Sequence, residues 1–390
     1  NAIDNPSPDD FAVIEGDPNL QLIPREPLNV FYVGMTRTYE PFDDIRVRQA
    51  IGMGIDRQRI VDNFYPEGST VATHFTPCAI ANGCVGEDWY EFDPEAARAL
   101  LAEAGYPDGF DTTIYYRDVF RGYLPEPGLV ATDLQAQLQE NLGINAEIEV
   151  MESGAFIDAS ANGQLDGIHL LGWGADYPHV TNFLDYHFGQ AQAQFGESYP
   201  EIYEHLNEGR QISDPAEAEQ FYIDANNAIR EQVPMVPIAN AVSATAWQAN
   251  VENAHSAPLT NEYFAVVDAG TDQFVWMQNA EPISLYCADE TDGESLRACE
   301  QVTESLLAYE VGGTDVVPGL ATSCDPNESL DVWTCNLREG VLFHDGTTLD
   351  ANDVVLSWAV GWDAAHPLHI GNTGSFEYFS TLWGNLLNVE

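Results

Sequence analysis

The 390-residue chain has 63 acidic side chains against 13 basic ones, all of them arginine, and its formal net charge is -50. This charge excludes the usual nucleic-acid-binding proteins, which need clustered Lys and Arg, and it disfavours anionic membrane surfaces. Without lysine there is no Walker-type phosphate loop, no Schiff-base lysine and no Ser–Lys dyad. Apolar residues make up 45% of the chain, so we expect a globular protein with a large core.

Helices and short strands alternate along the chain, and capping residues mark several helix ends. Asp93 is predicted as an N-cap, Pro94 as the first helical residue, and Gly105 as the C-terminal stop of the same helix. Apolar residues alternate in the segment INAEIEV, as they do in a half-buried strand. The predicted elements, in chain order, are a helix over 43–64 that breaks near its glycines, helices over 93–105 and 129–142, a strand over 144–150, and a short helix followed by a strand within 156–173.

The later part of the chain continues the alternation. Asp214 and Pro215 begin a helix that is predicted to reach Glu231. The segment VPMVPIA, 233–239, contains two prolines without an N–H to donate, so we predict an edge or crossing segment and not a central strand. The remaining predicted elements are a strand over 273–279, a helix over 293–308, a hairpin over 324–335 and a helix over 351–363 with Asp350 as its cap. The alternation predicts an α/β protein, and the lack of a Gly-rich phosphate loop argues against a nucleotide ligand.

Six cysteines form three close pairs along the sequence, and no C-x-x-C spacing is present. An even number of cysteines in short loops favours disulfide bonds and an oxidising compartment over buried free thiols. The expected pairs are Cys78–Cys84, Cys287–Cys299 and Cys324–Cys335.

The sequence gives no support for a metal site, a cofactor or a catalytic group. Its nine histidines show neither H-E-x-x-H nor a glycine-bearing calcium loop, and G-x-S-x-G is absent. Carboxylate pairs arise by chance among 63 acidic residues, so their spacing does not argue for a glycosidase.

The segment 172–188, GWGADYPHVTNFLDYHF, combines glycines, aromatic residues and aspartates at the end of a predicted strand. Ligands of α/β sheets bind at the carboxyl ends of strands. Trp173 and Tyr177 would form an apolar wall there, and Asp176 would supply a fixed negative charge. An aromatic corner packed into the core, with a turn-making aspartate, explains the same composition equally well.

The segment 115–127, YYRDVFRGYLPEP, places Arg117 and Arg121 among aromatic residues and prolines. A guanidinium group can bind a carboxylate through two parallel hydrogen bonds. The alternative is that both arginines merely pair with the acidic surface, which would stabilise little.

Five segments spread over nearly the whole chain carry a further pattern. They are FDDIRVRQAIGMGIDRQRIV (42–61), DPEAARALLAEAGYPDGF (93–110), GWGADYPHVTNFL (172–184), EQVPMVP (231–237) and LREGVLFHDGTTLDANDVVLSW (337–358). In these segments the chain resembles the family 5 extracellular solute-binding proteins, the peptide-binding type that serves ABC importers.

The order of the matching blocks differs from that of the family. The block 271–390 resembles the family's amino-terminal portion, and the block 1–267 resembles its middle and carboxyl-terminal portions. A connecting region typical of the family would belong between Glu390 and Asn1. Natural circular permutation is the favoured explanation, because permutation is tolerated where chain termini lie close together on the surface. The alternative is that pieces of a conventional chain are joined in the wrong order.

The resemblance implies a two-lobe α/β fold with a hinge, of the larger periplasmic-binding-protein class. One lobe would span 30–236, and the other would combine 1–29 with 237–390. The resemblance also implies roles for single residues. Arg121, in the stretch Arg121-Gly122-Tyr123-Leu124-Pro125, would grip the terminal carboxylate of a peptide, and Asp176 would grip its α-ammonium group. Tyr123 belongs to the same stretch, and we expect it at the site with Trp173 and Tyr177.

We therefore expect an extracytoplasmic protein that captures short peptides between two lobes and delivers them to a membrane ABC permease. It would be a monomer, would use no cofactor or metal and would not be an enzyme; a lipid anchor contributed by a region before Asn1 is compatible with this function. Two alternatives stay open. One is an oligosaccharide-binding member of the family, in which tryptophans stack on sugar rings; the other is a secreted hydrolase that uses two carboxylates.

Overall fold

The computed structural model describes residues 1–190 and 192–390, and this part of the chain divides into two compact units. The sheet unit consists of Asn5–Gly16 and Pro24–Ala244. The C-terminal unit consists of Asn1–Asp4, Asp17–Ile23 and Thr245–Glu390. The lobe boundaries at 30 and 236 and the permuted block order stay predictions.

The sequence forms a mixed α/β structure, as predicted, with short strands and helices in alternation through the sheet unit. The helices are α1 (Phe11–Gly16), α2 (Ile45–Gly54), α3 (Arg57–Phe64), α4 (Pro94–Glu103), α5 (Pro127–Leu142), α6 (Ser153–Ala161), α7 (Val180–Phe188), α8 (Pro200–Gly209), α9 (Pro215–Gln232), α10 (Gly293–Glu300), α11 (Ala351–Trp362) and α12 (Glu377–Trp383). The strands are β1 (Ala2–Asp4), β2 (Leu20–Arg25), β3 (Asn29–Met35), β4 (Thr70–Val71), β5 (Asp111–Arg117), β6 (Asn145–Met151), β7 (Ile168–Gly174), β8 (Met235–Asn240), β9 (Ser243–Gln248), β10 (Trp276–Met277), β11 (Leu307–Tyr309), β12 (Val316–Pro318), β13 (Ala321–Pro326) and β14 (Trp333–Leu337).

The helix boundaries follow the capping residues closely. The Asp93 side chain accepts a hydrogen bond from the Ala96 N–H, and Pro94 is the first residue of α4. Helix α5 ends at Leu142, and its C-cap Gly143 has a φ of 70°, in the left-handed region that glycine adopts without steric cost. The predicted break in 43–64 separates α2 from α3, because Asp56 leaves the helical conformation and caps α3 through the Arg59 N–H.

The sheet unit is built around a six-stranded sheet with the order β4-β8-β3-β7-β5-β6. Strand β3 pairs antiparallel with both β7 and β8, whereas β5 pairs parallel with β6 and β7. One side of this core is aromatic. Tyr32, Phe75, Phe183 and His187 are all buried, and the Phe75 ring lies 4.8 Å from the His187 ring and 5.3 Å from that of Tyr32.

Several arginines of the sheet unit donate to backbone carbonyl oxygens. The buried Arg48 donates to the Phe42 carbonyl at 2.7 Å and to the Gln232 carbonyl at 2.9 Å. Arg57 donates to the carbonyls of Tyr90 at 2.9 Å and Pro237 at 3.1 Å, and burial lowers its pKa to about 10. These guanidinium groups therefore connect separate stretches of backbone. Further donors to carbonyl oxygens are Arg37, Arg46, Arg98 and Arg230.

The C-terminal unit contains smaller sheets. Strands β10, β1, β9 and β2 form one sheet in that order, and β11–β12 and β13–β14 form two-stranded pairs. Cys324 and Cys335 lie opposite each other in the β13–β14 hairpin. They are disulfide-bonded, as are Cys78–Cys84 and Cys287–Cys299, so the three predicted pairs are confirmed.

Three element predictions were wrong in detail. Segment 233–239 is not an edge, because β8 lies between β4 and β3 with all six residues buried. The sheet tolerates Pro237 since β4 pairs with Ala239 and Asn240, and Pro237 stands beyond the end of that short strand. The helix predicted over 293–308 ends at Glu300, and strand β11 occupies the end of that range. The strand predicted over 273–279 is reduced to Trp276–Met277.

Candidate ligand-binding site

The two segments singled out in the sequence follow neighbouring parallel strands of the six-stranded sheet. Strands β5 and β7 pair in parallel, with Ile114 opposite Ile168 and Tyr115 opposite His169. Both strands therefore end at the same edge of the sheet, where α/β proteins bind ligands. Residues 118–125 follow β5 at this edge, and residues 175–179 follow β7.

Tyr123 joins the two segments. Its ring lies directly against Gly172, so that a Cβ atom at residue 172 would collide with the ring and with the Val30 carbonyl. The Tyr123 carbonyl also accepts a hydrogen bond from the Tyr65 hydroxyl at 2.9 Å. The loop that carries Arg121 is thus packed onto β7 at Gly172, and the missing side chain of this glycine permits the close approach.

The two arginines of the first segment differ in their surroundings. Arg117 Nη1 donates to Ser153 Oγ at 2.9 Å, and Nη2 donates to the Tyr123 hydroxyl at 3.3 Å. Arg117 therefore links the Tyr123 hydroxyl to Ser153 at the start of α6. Arg121 begins a tight turn in which its N–H donates to the Leu124 carbonyl at 3.3 Å, and its side chain is half-buried.

Asn182, in the first turn of α7, holds the second segment in place. Its Oδ1 accepts hydrogen bonds from Trp173 Nε1 and from the Asp176 N–H, each at 3.0 Å. Its Nδ2 donates to Asp176 Oδ2, also at 3.0 Å. The orientation of the half-buried Asp176 carboxylate is therefore fixed by a side chain that is itself only 2% exposed.

The aromatic wall expected from Trp173 and Tyr177 is only partly an open surface. The Trp173 ring stacks on Tyr186 with centroids 4.2 Å apart and meets the edge of His187 at 4.9 Å. The Tyr177 hydroxyl lies 3.3 Å from Thr181 Oγ1. Trp173 and Tyr177 stay half-buried, so each combines core packing on α7 with a remaining accessible face.

Negative charge concentrates around Tyr177. Burial raises the pKa of Tyr177, and the carboxylates of Asp185 and Asp176 raise it further. Burial also raises the pKa of Asp185 to about 6, and Arg210, whose Nη1 lies 3.8 Å from Asp185 Oδ2, opposes that rise.

The structure thus brings Arg121 and Tyr123 to the same sheet edge as Trp173, Asp176 and Tyr177. Asn182 and Tyr186 contact the predicted residues but were missed from the sequence. The available signal was the position of a polar Asn182 beside the apolar Phe183 and Leu184 at the start of α7.

Other features of the described residues lie apart from this edge. A groove of about 710 Å³ in the sheet unit is lined by other residues, among them Arg37, Asn162 and Glu197. Within residues 1–190 and 192–390, no three His, Cys, Asp or Glu side chains are grouped so as to hold a metal ion. No helix in those ranges has both the length and the apolar character needed to cross a membrane.

The sequence profile described as "Bacterial extracellular solute-binding proteins, family 5 Middle" matches residues 1–195 and 315–375. Among curated relatives, the chain is 29% identical to Di/tripeptide-binding protein 1 of Pseudomonas aeruginosa, an alignment that covers 68% of the chain and 50% of the relative. It is also 29% identical to Heme-binding protein A of Haemophilus influenzae, over 66% of the chain and 48% of the relative.

Solved structures agree with the family match. The dipeptide-binding protein of Pseudoalteromonas sp. SM9913 in complex with Met-Leu has a TM-score of 0.60 at 29% identity, covering 66% of this chain and 51% of that one. HbpA2 of Haemophilus parasuis has a TM-score of 0.58 at 31% identity, covering 66% and 52%. The predicted α/β fold of the two-lobe periplasmic binding proteins is thereby confirmed at the level of fold class.

The chain spans about half the length of the curated relatives it matches. The profile nevertheless covers well over half of the chain, in its first half and again near its end. The chain therefore belongs to family 5 of the bacterial extracellular solute-binding proteins.

Proposed function

We propose that this protein captures short peptides through their two charged ends, as the first step of import by an ABC permease. Arg121 binds the terminal carboxylate of the peptide, and Asp176 binds its α-ammonium group. The observation that carries this proposal is the packing of Tyr123 on Gly172, because it places the loop of Arg121 against the strand that leads to Asp176.

The chemistry of the site favours a zwitterion. Asp176 is oriented by Asn182 before any ligand arrives. An ammonium group gains a charge-assisted hydrogen bond there, whereas Arg121 offers a planar fork for a carboxylate. Several relatives are named as dipeptide- or di/tripeptide-binding proteins, which supports the same class of ligand.

The half-buried aromatic residues fit the remainder of a peptide. Trp173, Tyr177 and Tyr123 are each half-buried and keep part of a flat apolar ring accessible, and such surface accepts side chains of different shape. A solute-binding protein of this kind acts outside the cytoplasm and binds its ligand without converting it, so we infer neither a cofactor nor a catalytic residue.

The test compares a dipeptide with its carboxyl-terminally amidated form by calorimetry. Amidation leaves the Arg121 guanidinium facing a neutral amide, which should cost about 2 kcal/mol, or roughly 30-fold in affinity, for a half-buried pair. In Arg121→Ala the penalty should nearly vanish. Arg121→Lys should not restore the wild-type amidation penalty, because an ammonium group lacks the planar fork.

The control is Arg98→Ala, since Arg98 donates to the Asn141 carbonyl on the outside of the sheet unit and should leave the amidation penalty unchanged. Equal penalties in wild type and Arg121→Ala would place Arg121 outside the site. A wild-type protein that binds oligosaccharides and ignores both peptides would favour sugar transport, and turnover of the ligand would favour a hydrolase.

A further inference from the structure

Asn182 makes three hydrogen bonds that define the orientation of its amide group. Both partners of Oδ1 are N–H donors, Trp173 Nε1 and the Asp176 backbone, and the partner of Nδ2 is the acceptor Asp176 Oδ2. A flipped amide would set donor against donor at the first two contacts and acceptor against acceptor at the third. Only one orientation satisfies all three.

Few side chains could replace Asn182 in this arrangement. Aspartate has the size but lacks the N–H donor for Asp176 Oδ2, and leucine has neither donor nor acceptor. Because Asn182 is 2% exposed, water would not take over the lost hydrogen bonds. The side chain therefore connects the end of β7 to the start of α7 in one specific geometry.

From this geometry we propose that Asn182 is a positioning residue that sets the recognition of the ligand's ammonium group. It orients the Asp176 carboxylate and fixes the adjacent Trp173 before the ligand binds. This inference rests on the proposed function, and it adds the residue on which the selectivity of Asp176 depends. Preorganised groups bind more tightly because they lose less conformational freedom on association.

The test uses a ligand pair that differs only at the ammonium group, a free dipeptide and its N-acetylated form. In wild type, N-acetylation should weaken binding about 10- to 100-fold, the range of one charge-assisted contact. In Asp176→Asn the ratio should fall to about threefold or less. Asn182→Leu should give the same small ratio, because the free peptide loses affinity while the acetylated peptide loses little.

A purely structural role for Asn182 predicts a different result. Both peptides would then lose affinity by the same factor, and the acetylation ratio would stay at its wild-type value; that outcome overturns the inference and leaves the proposed function intact. Asn226→Leu is the matched control, since Asn226 is also buried and bonds to the Val85 carbonyl on another part of the sheet unit. A wild-type protein without any acetylation penalty would overturn the role of Asp176 and the inference together.

Asn182→Asp provides a second variant in case Asn182→Leu does not fold. It keeps both acceptor contacts but places two carboxylates about 3 Å apart, and such pairs retain a shared proton. Binding of the free peptide's ammonium should then release that proton, which calorimetry in buffers of different ionisation enthalpy measures as an excess over wild type. No excess release would mean that the side chain of residue 182 does not contact Asp176 in solution, and the inference would fail.

The neighbouring titratable groups are the same in wild type and Asn182→Asp. They are Tyr177 beside Asp176, Asp185 with its partner Arg210 just after α8, Tyr186 and His187 against Trp173, and His179 at the start of α7. Because the added carboxylate shifts the pKa values of these groups, their contribution is subtracted by measuring the same release in Asn182→Asp combined with Asp176→Asn, which has the new carboxylate but no carboxylate pair.

Discussion

Helices α2 and α11 begin with the same kind of cap but differ in what they pack against. Asp44 caps α2 through the Arg46 N–H, and Asp350 caps α11 within a capping box completed by Asp353. Helix α2, in the sheet unit, buries most of one face. In α11, of the C-terminal unit, Val360 and Gly361 are buried while Leu356 and Trp362 are 46% and 43% exposed.

The same contrast extends to the strands of the two units. The sheet unit is built on one six-stranded sheet, whereas the strands of the C-terminal unit are divided among a four-stranded sheet and two two-stranded pairs. Two-stranded hairpins are only marginally stable by themselves, so the β13–β14 hairpin depends more on its Cys324–Cys335 disulfide. Local sequence signals thus produce helices and hairpins in both units, but a dense core comes only from contacts between distant parts of the chain.

The largest expected effect is a difference in unfolding free energy between core truncations in the two units. Phe183→Ala should lower the free energy of unfolding by about 3–5 kcal/mol, because the fully buried ring packs on Phe75 and its removal leaves a cavity. Leu356→Ala on α11 should change it by about 0.5 kcal/mol or less, since that side chain is already 46% exposed. Urea unfolding followed by tryptophan fluorescence measures both, and similar losses would show that the two units are equally well packed.

A second difference should appear in acid. His169 is fully buried, and within the described residues neither ring nitrogen has a hydrogen-bond partner; burial lowers its pKa to about 3. The unfolded chain takes up a proton below about pH 6.5 and the folded chain does not, so stability falls as the pH falls. Between pH 7.5 and 4.5 this one group should cost about 3 kcal/mol.

His169→Leu should remove most of that acid sensitivity, at the cost of a small loss of stability at pH 7.5. His344→Leu is the control in the C-terminal unit, because His344 lies exposed in a turn. Thermal unfolding at pH 7.5 and 4.5 gives the comparison. A pH dependence unchanged in His169→Leu would mean that this histidine is not buried in its neutral form.

The smallest of the three effects tests the dependence on crosslinks. Replacing Cys324 and Cys335 by serine should destabilise the β13–β14 hairpin by about 2–3 kcal/mol, the value for a disulfide that closes a short loop. Hydrogen exchange should speed up over residues 321–337 and stay unchanged in β3 and β7 of the sheet unit. Faster exchange in β3 or β7 as well would show that the hairpin does not open independently.

The sequence predicts those parts of this fold that depend on a few neighbouring residues. Asp93, Pro94 and Gly105 define α4 because capping needs only the residues of one turn. Pro237 misled the prediction for β8, because its effect depends on where the partner strand β4 ends, more than 160 residues earlier in the chain. The extent of a neighbouring strand is a property of the assembled sheet and is not written in the proline-rich segment.

The candidate site shows the same limit. Arg121 and Asp176 could be nominated from the sequence because their residue types match the two charged ends of a peptide. Their supporting residues could not. Arg117 contacts Tyr123, and Asn182 contacts Asp176, only because the folded chain sets the ends of β5 and β7 side by side.

The arginines that donate to carbonyl oxygens bear on the ionic strength at which this protein is stable. A net charge of -50 makes the folded chain repel itself in dilute solution, and dissolved ions screen that repulsion. Short guanidinium–carbonyl hydrogen bonds such as those of the buried Arg48 are not exposed to the same screening. Added salt therefore weakens the charge repulsion that opposes folding more than it weakens the arginine contacts that support folding. We expect the folded protein to be more stable in concentrated salt than in dilute solution.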